Sequence, residues 1–284
     1  MLGSLTDGRW QSLKKRVITG VLLTAFALVL LYLGGAYFGV VAYVFLGIAI
    51  YEEFKALNTA GHRPISWPTW LAMIASIPLA MVFGAKVVIP VIMTACLLTI
   101  ACIIFRSEPR LEDALMSLIP LLFVALPALC LISMATITPL SVQRVYLSLV
   151  LLVPICVDTM AFFVGNWVRG PKLCPAVSPN KTISGAIGGM VGAQLGVWLV
   201  ACTAWCMCVP ENIALMPNWW QFLLIGLIGG VTSQIGDLFA SLVKRHCGIK
   251  DFSNLFPGHG GMLDRVDSII FMSLTVYCFR LLIG

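Results

Sequence analysis

The chain has 284 residues, of which 60% are hydrophobic and 11% charged, and carries a net charge of +6. A soluble globular domain carries about 25% charged residues, so this composition excludes a water-soluble protein and puts the chain in a bilayer. The positive balance calls for no nucleic-acid partner; it reflects basic loops and attracts anionic membrane lipids.

Residues 1–16 contain Arg9, Lys14, Lys15 and Arg16 and read as a basic, partly amphipathic cytoplasmic lead-in lying on the inner surface. A membrane span takes about 20 apolar residues. Nine runs qualify as candidates: Val17–Leu33, Tyr37–Ile50, Trp67–Phe83, Val87–Phe105, Leu115–Met134, Val145–Gly165, Ala186–Cys208, Phe222–Val243 and Val266–Leu282. The first is too long for a signal peptide and lacks a small-residue cleavage site, so it reads as a retained span. Gly34-Gly35 predicts a tight turn between the first two. No soluble domain fits in the gaps, so residues 17–284 form a single transmembrane domain. With the N-terminus in the cytoplasm, alternate crossing leaves fifteen of the eighteen Lys and Arg inside and only Lys86, Arg144 and Arg280 outside. The expected fold is an all-α, polytopic integral membrane protein of about nine transmembrane helices.

Residues 17–150 have short, plain loops, whereas residues 154–284 hold the intramembrane carboxylates and two elaborate inner loops. Asp158, in the sixth span, is a buried carboxylate suited to a metal, a substrate hydroxyl or a helix–helix contact. The loop from Gly170 to Thr182 precedes the seventh span. Ser178, Lys181 and Thr182 can donate to a phosphate near that helix N-terminus, where the dipole also favours an anion. Gly185 and Gly189, and the offset row Gly188, Gly192 and Gly196, repeat every four residues, as do Gly226 and Gly230 in the eighth span. Small residues at that spacing let helices approach closely in lipid, so the seventh and eighth spans are expected to pack on each other.

Asp237 lies in the eighth span. A carboxylate in hydrocarbon costs about 2.5–3.5 kcal/mol, so it needs a partner or a function. Ser241 and Lys244 share its helical face, and a salt bridge is the plain alternative to a metal or substrate role. The following loop, with Lys250-Asp251 and Gly258-His259-Gly260-Gly261, has the makings of a phosphate cradle, to which Lys250 and Arg265 add charge. Asp264 and Asp267 are three residues apart on one face at the start of the ninth span. Two close carboxylates repel unless a cation lies between them. Hard oxygen donors without His/Cys spacing favour magnesium or manganese over zinc, while partnering of the helix dipole is the simpler role.

The motif Ser241-x-x-Lys244-Arg245-x4-Lys250-Asp251-x4-Phe256-Pro257-Gly258-His259-Gly260-Gly261-x-x-Asp264-Arg265-x-Asp267 resembles the hallmark of the phosphatidate cytidylyltransferases (CDP-diacylglycerol synthases). Upstream, Asp158, Gly165, Lys172-Leu173, Ser178-Pro179-x-Lys181-Thr182, Gly188-Gly189 and Ser233-Gln234-x-Gly236-Asp237 resemble it too. The catalytic half, about 154–284, matches motif by motif; the N-terminal half agrees only in hydropathy. One position departs: Ser184 stands where the family usually has Glu.

The resemblance implies the reaction CTP + phosphatidate → CDP-diacylglycerol + pyrophosphate. It implies an all-helical homodimer, a polar cavity facing the cytoplasm across a bacterial inner membrane, and Mg2+, with K+ beside it as an option. The family's metal-site aspartates match Asp237 and Asp264. Asp267 is expected to assist at the metal, and Asp251 and Lys250 at the reacting phosphates. Ser178, Lys181, Thr182, Lys244, Arg245, His259 and Arg265 are expected to bind substrate. The competing readings are an ion-coupled transporter, because intramembrane Asp residues mark ion pathways, and a CTP-dependent lipid-alcohol kinase.

Overall fold

In the computed structural model, residues 20–207, 215–256 and 258–283 are described. The basic lead-in at 1–16 and Pro257 of the signature loop lie outside them. Helix α1 (Gly20–Leu33) and helix α2 (Gly35–Thr59) meet at Gly34. The turn is as tight as the Gly-Gly pair predicts, with φ 58° at Gly34 and 52° at Gly35. Space also demands glycine there: a Cβ on Gly34 would lie 2.6 Å from Leu140 Cδ1 and 2.8 Å from Gln143 Oε1. The amide of Gly35 donates to Gln143 Oε1 at 2.6 Å, and Gln143 donates in turn to the carbonyl of Ala135.

Helix α3 (Trp67–Phe83) opens with Pro68 in its first turn, where the missing N–H costs nothing. A 3-10 turn at Gly84–Val87 leads into α4 (Val88–Ile104). Helix α5 (Leu111–Ile119) continues through a π-helical segment, Pro120–Ala125, into α6 (Leu126–Met134). Pro120 and Pro127 bracket that segment; each removes an N–H from the ladder, and the wider turn accommodates the break. Helices α7 (Leu140–Val168), α8 (Ile183–Met207), α9 (Trp219–His246) and α10 (Leu263–Ile283) complete the chain. Helix α9 starts on a reciprocal capping box between Asn218 and Gln221.

Each of the nine predicted apolar runs is centred on a helix. Among the described residues five helices are long and apolar enough to cross a membrane: Gly35–Thr59, Leu111–Met134, Leu140–Val168, Ile183–Trp205 and Trp219–His246. Gly20–Leu33, Trp67–Ala80 and Val88–Ile104 are apolar but shorter. Large apolar side chains such as Ile74, Phe162, Leu199 and Ile228 are exposed on the helices' outer faces. Exposed grease on this scale is what lipid covers in an integral membrane protein.

Two details differ from expectation. The loop between α7 and α8 holds a small antiparallel hairpin, β1 (Lys172–Cys174) and β2 (Ser178–Thr182), with Lys172 opposite Thr182 and Cys174 opposite Ser178. Pairing supplies backbone partners that an open loop would leave to water. The second concerns the glycines of α8. Gly185, Gly188, Gly192 and Gly196 face α7, where added Cβ atoms would strike Ala161, Val164, Met160 and Val153 respectively. Only Gly189 of the expected rows turns partly to α9, where Gln234 lies 3.1 Å from its Cβ position. Gly226 and Gly230 on α9 do meet α8, at Gln194 and Ala193. Helix α8 is thus a wedge between α7 and α9 rather than a partner of α9 alone.

Candidate active site

Helices α2, α7 and α9 end, and α8 and α10 begin, at one end of the bundle, where the polar side chains of the C-terminal half collect. The loop between α9 and α10 is held there by two carboxylates. Asp264, in the first turn of α10, receives the Lys244 ammonium on Oδ1 at 2.6 Å. Its Oδ2 accepts the N–H groups of Phe252 and Gly261, each at 2.9 Å. Glu52, near the end of α2, accepts the Ser253 hydroxyl at 2.5 Å and the Met262 N–H at 3.0 Å on Oε1, and the Leu263 N–H at 2.9 Å on Oε2. The first N–H groups of a helix lack intrahelical partners and attract negative charge, so these carboxylates complete the N-terminus of α10.

The glycines of the loop follow from this. Gly260 has φ 79°, and its Cβ would lie 2.8 Å from Asp264 Oδ2. A Cβ on Gly261 would lie 2.6 Å from Glu52 Oε2. The expected phosphate cradle is therefore turned on the protein's own carboxylates: the N–H groups of residues 261–263 bind Asp264 and Glu52. Lys250 and Asp251 are exposed at the loop's outer edge. His259 donates its backbone N–H to Phe256 at 2.9 Å. Its Nδ1 is buried with no hydrogen-bond partner among the described residues, and its Nε2 lies 3.8 Å from the Cβ position of Gly20 at the start of α1.

Beside the loop lies a polar cavity of about 550 Å³ whose lining includes Asp158, Lys172, Asn180, Lys181, Thr182 and Asp237. The Lys181 ammonium stands 2.5 Å from Asp237 Oδ2. Thr182 also caps α8, its hydroxyl oxygen accepting the Gly185 N–H at 3.1 Å. Gly165 and Gly185 allow this cavity wall to close: a Cβ on Gly165 would lie 2.9 Å from Thr182 Oγ1. Ser178 pairs with Cys174 at the far end of the hairpin, and Arg245 Nε donates to the Val177 carbonyl at 3.3 Å, pinning the hairpin to the end of α9. Ser184 does not line the cavity. Its hydroxyl donates to the carbonyl of Arg169, the left-handed residue (φ 57°) that ends α7.

The cavity and the loop are joined by charge. Asp158, Asp237 and Asp267 lie close enough to repel one another, with Lys181, Lys244 and Arg265 as the neighbouring cations. Gly236 brings α9 and α10 together at this point, since a Cβ there would lie 2.7 Å from the Asp267 carbonyl oxygen. Asp267 Oδ1 accepts the Ser268 N–H at 2.7 Å. Among the described residues no three His, Cys, Asp or Glu side chains converge to ligating distance. The donor chemistry nevertheless fits a hard divalent cation: carboxylates gathered from three helices, two of them in ion pairs with ammonium groups.

Two acidic residues escaped the sequence reading. Glu52 and Glu53 are 4% and 2% exposed, deep enough that each needs a reason to be there. Glu52 has the loop. Glu53 Oε2 has no hydrogen-bond partner among the described residues, and its side chain borders a narrow void shared with Asp267 and Gly236. The signal was available, because two adjacent carboxylates at the end of an apolar span carry the same cost as Asp237. It was masked by Lys55, which makes Glu52-Glu53 look like the start of a solvated loop.

Residues 14–283 match the profile of the cytidylyltransferase family. A phosphatidate cytidylyltransferase of Brucella abortus is 33% identical over 274 residues, which is 94% of this chain and 93% of that protein. The phosphatidate cytidylyltransferase of Bacillus subtilis is 42% identical over 121 residues, 42% of this chain and 41% of that protein. That of Staphylococcus saprophyticus is 39% identical over 127 residues, 45% of each.

Proposed function

The chain belongs to the cytidylyltransferase family, and from that premise we infer that it is a phosphatidate cytidylyltransferase, transferring CMP from CTP to phosphatidate and releasing CDP-diacylglycerol and pyrophosphate. The observation that carries the reading is a coincidence: Asp264 and Asp267 of the signature motif are buried, and Asp158 and Asp237 of the upstream motifs line the polar cavity.

The chemistry suits a site without a serine or cysteine nucleophile. An oxygen of the lipid phosphate forms the new bond to the α-phosphorus of CTP in line, and the bond from that phosphorus to the β-phosphate bridging oxygen breaks. Positioning and charge neutralisation then carry catalysis. Lys181 and Lys172 line the polar cavity and bind the triphosphate there. Lys244, Arg245 and Lys250 supply further charge along the loop, and Arg265 faces the lipid phosphate. Asp237, Asp264 and Asp267 would hold magnesium, which when bound supplies a Lewis acid for the phosphoryl oxygens. Lys181 and Lys244 now neutralise two of those carboxylates, and with a cation in place their charge is free for the phosphates. A potassium ion beside the magnesium belongs to the same reading, as do Ser178, Thr182, Asp251 and His259 as supporting groups.

The finer topology is nine spans with the N-terminus and the site in the cytoplasm of a bacterial cell, in the inner membrane, and a homodimeric assembly. Support for the first part comes from the helix ends: α2, α7 and α9 finish where α8 and α10 start, as alternate crossing requires. CTP then arrives from the cytoplasm and the lipid from the bilayer.

The test is to incubate the purified protein with labelled CTP, phosphatidate and magnesium. A labelled liponucleotide and equimolar pyrophosphate are expected. Release of CDP with a phosphorylated lipid alcohol would instead identify a kinase, and CTP-independent flux in liposomes a transporter.

A further inference from the structure

A second cavity, of about 310 Å³, lies between α1, α2, α7 and α10, and its walls are apolar apart from Thr24 and Arg265. Among the described residues the only charged side chain in its lining is Arg265. We propose that this groove holds an acyl chain of the lipid substrate, with Arg265 at its mouth receiving the lipid phosphate. The inference rests on the reaction given above and adds which part of the chain selects the lipid.

Direction is the first argument. Arg265, Phe256 and Met262 form the groove's end beside the signature loop, and Leu30 and Phe38 form the opposite end. Helix α1 lines the groove from Gly20 to Leu30, about 15 Å at 1.5 Å per residue. That is about half of a 30 Å hydrocarbon core, the depth one acyl chain occupies in its own leaflet. The one hydroxyl on α1 in the lining is internally satisfied, since Thr24 donates to the Gly20 carbonyl at 2.9 Å. Phe26 and Phe45 stack with centroids 5.8 Å apart and give one wall a rigid apolar surface.

Position is the second argument. Ile155 lines the groove, and Asp158, one turn further along α7, lines the polar cavity. Arg265 lines the groove and is close enough to Asp158 to attract it. The two cavities thus lie on either side of a thin boundary made by α7 and α10. A phosphatidate whose tail fills the groove has its phosphate at Arg265, facing the cavity that takes the triphosphate. The charge at the mouth selects an anionic lipid, and no neutral headgroup gains from it.

The experiment is a chain-length comparison. Ala27 lines the groove midway along α1, so Ala27→Phe blocks its deeper half. The expected result is that kcat/KM for a phosphatidate with two sixteen-carbon chains falls about tenfold relative to one with eight-carbon chains, with the KM for CTP unchanged. Leu30→Ala enlarges the far end and is expected to move the same ratio the other way. A ratio that stays fixed in both variants overturns the proposal, whether or not overall activity falls. A phosphatidate carrying a photoreactive group at the chain end should label α1 around Leu30. Phosphatidate should compete with that labelling far better than phosphatidylcholine; equal competition would mean the groove takes any membrane lipid and would also overturn it. Absence of liponucleotide from the wild-type protein with either chain length is a different failure, that of the reaction itself.

Discussion

Asp264 and Lys244 are joined at 2.6 Å across the α9–α10 junction, with side-chain exposures of only 3% and 12%. The same carboxylate binds two loop amides on its other oxygen. One side chain therefore fixes the loop, ends a helix and neutralises a lysine within the signature motif.

Replacing Asp264 by Asn should abolish liponucleotide formation. The amide can still accept a loop N–H, but the Lys244 ammonium is left without its counter-charge. Breaking one side of a buried pair costs about 3–5 kcal/mol, so the melting temperature should also fall. Turnover and thermal unfolding of the detergent-solubilised protein check both. The double variant with Lys244→Met should recover part of the stability and none of the activity; wild-type-like turnover in Asp264→Asn would remove this residue from the site.

Glu52→Gln keeps the shape of the side chain and removes its charge. Three hydrogen bonds to the loop and to α10 weaken, at about 1 kcal/mol or more each. Limited proteolysis should cut between residues 253 and 262 faster than in the wild type, with activity falling in parallel. Unchanged cleavage would mean that the loop is held by other contacts.

Gly261→Ala should be inactive although the change adds a single methyl group. The new Cβ would sit 2.6 Å from Glu52 Oε2, and neither the carboxylate nor the loop backbone can give way without losing the bonds above. The pairing Gly261→Ala with Glu52→Ala relieves the clash and should restore folding, read as monodispersity on size exclusion, without restoring turnover.

Removal of divalent cations by a chelator should stop the reaction, and magnesium or manganese should restore it where zinc does not, since every candidate donor is a hard oxygen. Lys181→Met should raise the KM for CTP by an order of magnitude, because it strips one cation from the polar cavity and leaves Asp237 without its 2.5 Å partner. An unaltered KM would place the triphosphate elsewhere.

The helices and the signature residues were legible in the sequence for different reasons. Apolar runs of span length announce helices wherever they occur, and the Gly34-Gly35 turn followed from the absence of side chains there. Asp237 stood out because a charge in grease is expensive, and Asp264 and Asp267 because two carboxylates three apart on one face repel unless a cation lies between them. Partners were not legible. Nothing in the spacing of Lys181, Asp237, Lys244 and Asp264 says which lysine meets which aspartate, because that depends on how α8 wedges against α9. The role of the loop glycines was read as room for a bound phosphate. At Gly260 it is room for Asp264, and at Gly261 for Glu52, a residue some two hundred positions upstream. The direction of the α8 glycine rows failed for a related reason: a small-residue stripe reveals that a neighbour comes close, and not which neighbour.

Glu52 also bears on how the polypeptide can be divided. The hallmark residues all fall after Asp158, which invites the view that the earlier helices are a dispensable anchor. Yet the last helix takes its cap from the second. A fragment beginning after Pro139 would carry every signature side chain and still lack the group that seats them, so the second half depends on the first for the shape of its own signature loop.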